Sequence, residues 1–131
     1  MEKKVLVIGF GSIGRRHISI LRNLKIVGEI RVISQAPDCR FKKINFLKSD
    51  ILEYNPDYII IANETYKHYK SLLKINSIVK NKVILVEKPL FHKYFKIKIK
   101  KRNKIFVAYN LRFSPLVEIL KKILNKYSFN C

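Results

Sequence analysis

Short blocks of consecutive apolar residues alternate with longer stretches in which apolar residues recur every three or four positions. Val5-Leu6-Val7-Ile8 is the first block, and it ends at Gly9. A run of this length bounded by glycine reads as a strand buried on both faces. Helical spacing follows, predicting Ile13, His17, Ile20, Leu21 and Leu24 on one inward face. Glu29 to Ser34 reads as a second strand, and a third is expected near Ile44–Leu47. Tyr58-Ile59-Ile60-Ile61-Ala62 is a further strand. Thr65 suits an N-cap, with Tyr69, Leu72, Leu73, Asn76 and Val79 recurring at helical spacing behind it. Val83-Ile84-Leu85-Val86 and Ile105-Phe106-Val107-Ala108 complete the strands. Ser114-Pro115 opens a last helix as N-cap and N1, with Leu116, Ile119, Leu120, Ile123 and Leu124 expected on a buried face. Continuous apolar strands alternating with helices predict an α/β fold with a doubly wound parallel sheet.

The turn after the first strand is Gly9-Phe10-Gly11-Ser12-Ile13-Gly14, and it uses three of the chain's four glycines. A G-x-G-x-x-G between a strand and a helix is the fingerprint of a Rossmann-type dinucleotide site. Gly9 permits the tight turn, Gly11 lets the backbone approach a pyrophosphate, and Gly14 lets helix and strand pack closely. The helix N-terminus offers free N–H groups and the positive end of its dipole. The ribose-binding position lies about 20 residues beyond the last glycine. Ser34 stands there. A carboxylate would accept from a 2′-hydroxyl and repel a 2′-phosphate; Ser34 can donate to either, and Arg40 is near in sequence. The cofactor is therefore NAD or NADP, with a lean to NADP.

Two more strand ends carry polar clusters: Ala62-Asn63-Glu64-Thr65-Tyr66-Lys67-His68, and Glu87-Lys88-Pro89 after Val86. Open α/β sheets bind ligands at the carboxyl ends of their strands. With Arg15-Arg16-His17 after the glycines and Tyr109-Asn110-Leu111-Arg112-Phe113 further on, the chain resembles the Gfo/Idh/MocA family of NAD(P)-dependent oxidoreductases, which act mainly on sugars, inositols and sugar nucleotides. The four motifs stand in family order over nearly the whole chain. The resemblance implies that Gly9, Gly11, Ser12, Ile13 and Gly14 form the dinucleotide loop. It implies that Asn63, Thr65 and His68 line the cofactor beside the nicotinamide ribose, and that Glu87 and Lys88 sit at the nicotinamide. Lys88 would help bind and polarise the reacting hydroxyl or carbonyl, and Arg112 would face the cleft. Pro89 is a candidate for a cis bond. Read from its neighbours alone, Lys88 is expected partly buried beside Glu87, where an ammonium can serve proton transfer or electrostatic stabilisation. His17 reads mainly as a packing residue.

Three departures from the family pattern bear on function. Glu64 stands where the family often has Pro. The connector Phe91–Arg102 is short, Lys96–Lys100 alternates like a strand, and its crossover helix is expected to be short or lost. The family continues for roughly as long again into a second α/β domain that supplies most substrate contacts and a further catalytic His. The expected organisation is a single nucleotide-binding domain over 1–113 and a helix over 114–131 leading toward that second domain. The first reading is the NAD(P)-binding domain of an oxidoreductase acting on a sugar, sugar nucleotide or related polyol. The alternative is a truncated, non-catalytic nucleotide-binding module. The alternative predicts an exposed apolar face where the second domain would dock, a face also available for self-association.

Charge and composition then remove other classes. The chain has 131 residues, 28 Lys and Arg against 9 Asp and Glu, and a formal charge of +19. Such a charge suits polyanions. The basic residues are scattered, however, and zinc, RRM or KH signatures are missing, so no specific nucleic-acid partner is expected. No apolar stretch approaches a membrane span, and no secretory signal opens the chain. Cys39 and Cys131 form neither a disulfide framework nor a metal spacing. Cytoplasmic location is the expectation.

Overall fold

The structure, a computed structural model, describes residues 1–96 and 102–126. In chain order the elements are β1 (Lys3–Ile8), α1 (Ser12–Arg22), β2 (Val27–Ile33), α2 (Lys48–Tyr54), β3 (Tyr58–Ile61), α3 (Thr65–Ile78), β4 (Val83–Val86) and β5 (Lys104–Val107). A 3-10 turn (Asn110–Phe113) and α4 (Pro115–Lys126) follow. The strands form one parallel sheet in the order β2-β1-β3-β4-β5. This is the doubly wound Rossmann-type arrangement predicted from the apolar runs.

Strand alternation sorts the core into two layers. Leu6, Ile8, Ile59, Ile61, Ile84 and Val86 meet Ile51 and Tyr54 of α2 and Leu72 and Ile75 of α3. Val5, Val7, Val32 and Ile60 meet Ile18 of α1 on the other face. The Tyr54 hydroxyl reaches the carbonyls of Val5 and Glu29, 3.0 Å from each, and so ties α2 under the β1–β2 pair.

Several elements differ from the sequence expectation. The segment near 44–47 is no strand: it makes one parallel bridge, Val32 to Lys43, and runs on into α2, a helix that the pattern does not announce. Only Ile51 and Tyr54 of α2 turn inward, too few to show a period. In α1 the buried residues are Gly14 and Ile18, while Ile13 and Ile20, and Leu24 just past the helix end, are exposed. Close approach at Gly14 turns that flank of the helix toward the sheet. Thr65 is the first helical residue of α3; Glu64 holds the N-cap position, without a side-chain cap. On α4 the apolar face forms as predicted, but Leu116, Ile119, Leu120, Ile123 and Leu124 are all exposed rather than buried.

Residues 91–96 carry no helix, and the strand-like alternation of Lys96–Lys100 lies almost wholly outside the described residues. Here Phe95 stacks on Tyr69 of α3 at 4.1 Å between ring centroids, with Phe91 edge-on to both. On the α1 side of the sheet Leu85 is only partly buried and Phe106 is 52% exposed. Among the described residues no helix is long and apolar enough to cross a membrane, and no group of three or more His, Cys, Asp and Glu could hold a metal ion.

Candidate functional site: the carboxyl edge of the sheet

β1 delivers the chain to Gly9, whose N–H donates to the Ile33 carbonyl at 2.9 Å. Gly9 has φ +104°, a region L residues rarely adopt, and a Cβ there would stand 2.5 Å from the Asn63 nitrogen. At Gly14 a Cβ would overlap the Gly9 carbonyl oxygen, so the helix can approach the strand only without one. Gly11 is different. A Cβ built on it meets nothing within 4 Å. The space over Gly11 is open, as a loop that receives a phosphate requires. Gly11 caps α1, and no acidic residue occupies the helix's first turn, so the N–H groups there point into an anion-favouring field.

A cleft of about 900 Å³ opens over this loop. Gly9, Gly11, Ser12 and Ile13 form its floor, Ser34 and Gln35 stand on the β2 side, and Asn63 and Glu64 on the β3 side. Gly14 lies beneath the floor, as its packing role demands. Asn63 donates through Nδ2 to Ser71 Oγ at 2.9 Å, while its Oδ1 is buried without a partner among the described residues. An orphaned acceptor in a cleft wall calls for a donor from outside the chain. Ser34 Oγ accepts from the Ala36 N–H at 3.0 Å and keeps its own proton to donate. The open space at Gly11, the bare helix N-terminus and the Asn63 acceptor together fit a dinucleotide.

The cleft's charge comes from residues the sequence reading did not single out. Lys67, Lys70 and Lys74 of α3 line one wall. Their i, i+3, i+7 spacing was the available signal. Glu64 pairs with Lys67 at 2.8 Å; this hydrogen bond lowers the Glu64 pKa and raises that of Lys67. Outside the cleft lining Arg15 pairs with Asp38 and holds that carboxyl below its usual value. The Arg15 guanidinium also lies 4.5 Å over the Phe10 ring. Arg40 is exposed.

The end of β4 forms a second constellation. Glu87 does not pair with the Lys88 ammonium. Its Oε1 lies 2.6 Å from His17 Nε2, and its Oε2 accepts from the Lys88 backbone N–H at 3.1 Å. Lys88 is exposed rather than partly buried, and the Lys88–Pro89 bond is cis. Neighbouring residues at a strand end point to opposite faces, so Glu87 turns toward α1 and away from Lys88. His17, read from sequence as packing, is thus a polar partner of Glu87. His68 is 1% exposed. Its Nε2 lies 2.9 Å from the Asn63 carbonyl, and its Nδ1 3.1 and 3.2 Å from those of Pro89 and Leu90. It sits behind the cleft wall. Thr65, Glu87 and Lys88 lie outside the cleft lining, as does Arg112, exposed on the 3-10 turn after β5.

Residues 3–105 match the model of the oxidoreductase family with an NAD-binding Rossmann fold, Gfo/Idh/MocA. No curated protein matches the chain. Among solved structures, myo-inositol 2-dehydrogenase from Lactobacillus plantarum is 20% identical with a TM-score of 0.79, over 96% of this chain and 42% of that one. Scyllo-inositol dehydrogenase from Lactobacillus casei, with bound NAD(H) and scyllo-inositol, is 15% identical with a TM-score of 0.70 over the same shares. The WlbA dehydrogenase from Bordetella pertussis, in complex with NADH and UDP-GlcNAcA, is 17% identical with a TM-score of 0.73, again over 96% and 42%. The chain thus spans less than half the length of these structures.

Proposed function

This chain belongs to the Gfo/Idh/MocA oxidoreductase family and carries its NAD-binding Rossmann domain, and from that premise we propose that it serves hydride transfer to or from a sugar, sugar nucleotide or related polyol. The observation that carries the reading is the glycine-floored cleft, open over Gly11 and backed by a bare helix N-terminus. Gly11, Ser12 and Ile13 hold the pyrophosphate, Ser34 the adenosine ribose, and Asn63 offers its free acceptor toward the ligand. The nicotinamide, when bound, supplies the hydride chemistry. Lys88, exposed at the end of β4, holds the reacting oxygen and handles its proton. Thr65, Glu87 and Arg112 act around it. The inositol and sugar-nucleotide ligands of the similar structures support a polyhydroxylated substrate class.

The phosphorylated cofactor is the finer part of the proposal. Ser34 stands where a carboxylate would repel a 2′-phosphate, the nearby Asp38 is engaged by Arg15, and three lysines line the opposite wall. A charge-assisted phosphate contact favours NADPH by about tenfold. Fluorescence titration with NADPH and NADH tests both levels. Binding of neither overturns the dinucleotide reading, and tighter NADH binding overturns the preference.

A second reading, a nucleotide-binding module without turnover, is favoured by one observation: the apolar face of α4 is wholly exposed. That face supports self-association or docking of a second domain. The chain by itself is expected to bind cofactor without turning over substrate. Hydride transfer to any inositol or sugar by the chain alone would count against that expectation.

A further inference from the structure

We infer that His17 is a positioning residue for the Lys88 loop, joining the helix that begins at the dinucleotide loop to the backbone that carries Lys88. The inference rests on the reading of Lys88 as the group at the reacting oxygen. Lys88 is exposed, so packing of its own side chain does not set its direction. Its backbone N–H is held by Glu87 Oε2 at 3.1 Å, and the same carboxylate is held through Oε1 by His17 Nε2 at 2.6 Å. Glu87 is fixed at its main chain as well, donating its N–H to the Ile61 carbonyl at 2.9 Å. The His17 and Glu87 side chains are only 22% and 16% exposed, so water competes weakly for the contact. With both oxygens engaged, the carboxylate cannot rotate without losing a bond.

The placement of His17 makes this more than a local contact. Gly11 caps α1 at its N-terminus, and His17 sits on the second turn of the same helix. A short helix moves as one body. Any shift of its N-terminus on binding a pyrophosphate reaches Glu87 through His17, and Lys88 through Glu87. From the opposite face of the sheet, His68 holds the next two residues, its Nδ1 lying at the carbonyls of Pro89 and Leu90. The Lys88 loop is therefore clamped between two histidines, each on a helix whose first turn borders the cleft.

The test uses the whole chain with His17→Ala, His17→Gln, Glu87→Ala and the double variant His17→Ala/Glu87→Ala. Amide hydrogen exchange is followed without ligand. Loss of the strut speeds exchange at the Lys88 N–H by about fivefold to tenfold in His17→Ala. The donor amide of His17→Gln restores slow exchange, and the double variant exchanges no faster than Glu87→Ala alone. Site-resolved acetylation of Lys88 is then compared with and without NADH. Protection by NADH is expected in the wild type and in His17→Gln, and is lost in His17→Ala. Unchanged Lys88 exchange in His17→Ala overturns the inference. So does acceleration spread over all amides, because that reports general loosening. A wild-type chain that fails to bind NADH overturns the reading of the cleft, while the ligand-free exchange comparison still decides the strut.

Discussion

The three glycines of the dinucleotide loop are predicted to respond differently to the same added methyl group. At Gly9, alanine meets two penalties. A positive φ of +104° costs an L residue about 1–2 kcal/mol, and a Cβ 2.5 Å from backbone nitrogen adds about 1–3 kcal/mol of overpacking. Backbone cannot rotate aside, so the two add to about 2–5 kcal/mol. For a domain of this size 1 kcal/mol moves Tm by about 3–4 °C, so Gly9→Ala loses about 7–18 °C. Gly14→Ala meets overlap alone, against the Gly9 carbonyl, and loses about 1–3 kcal/mol. Gly11 has φ −75° and ψ −170°, extended values any residue adopts, and nothing lies within 4 Å of its added Cβ. Gly11→Ala should hold stability within about 0.5 kcal/mol of the parent. The methyl now occupies the space a pyrophosphate needs, and NADH affinity falls by tenfold or more, about 1–3 kcal/mol. Thermal unfolding by circular dichroism and NADH fluorescence titration separate the two effects. A Gly11→Ala variant as unstable as Gly9→Ala, or one that binds NADH like the parent, would refute the reasoning.

Three further outcomes are expected. Tyr54→Phe removes the hydroxyl that reaches the Val5 and Glu29 carbonyls, and urea unfolding should show a loss of about 1–2 kcal/mol with an unchanged slope. Leu120→Glu lies on the exposed face of α4; it should leave Tm nearly unchanged while abolishing self-association in sedimentation velocity, and a large fall in Tm would place that face in the core instead. Asp38 has its pKa lowered, chiefly by the hydrogen bond from Arg15. A carboxyl depressed in the fold contributes stability that is complete above its ordinary value and fades as pH falls through the lowered one. The Tm difference between the parent and Asp38→Asn should be flat from pH 7 to 5 and shrink only below about pH 4, near the ordinary carboxylate value.

The strands were legible because parallel sheets covered on both faces leave unbroken apolar runs, as in Val5–Ile8 and Val83–Val86. The glycine loop was legible because each glycine answers a local steric demand. What the pattern could not show depends on long-range contact. α2 turns only two residues inward, so it leaves no period to read. The inward flank of α1 is set by contact at Gly14, and it lies one position from the stripe suggested by Ile13, Ile20 and Leu24. The Glu87–Lys88 adjacency suggested a pair, but strand alternation separates them and hands the carboxylate to a histidine 70 positions away. The lysines of α3 were hidden by their number, since the chain is basic throughout.

The distribution of burial separates cofactor holding from whatever else the protein does. Every buried residue among those described lies between Val5 and Val86. From Phe106 to Leu124, by contrast, Phe106, Tyr109, Leu111, Phe113, Leu116, Ile119, Leu120, Ile123 and Leu124 are all exposed. β5 is paired to β4 in full register, so backbone bonding does not explain the difference; among the described residues nothing forms a covering layer over these side chains. Burying each such side chain contributes about 1.5–3 kcal/mol, so covering even half of them matches the stability of an ordinary domain. A helix as short as α4 is marginal in water without such a layer. The cleft borrows nothing from this region, since its lining ends at Lys74. A chain shortened to residue 113 should therefore bind NADH within about twofold of the full chain, which is under 0.5 kcal/mol. Calorimetric titration of the two chains decides it. A tenfold loss on shortening would show that α4 supports the cleft and would join the two regions into one cooperative unit.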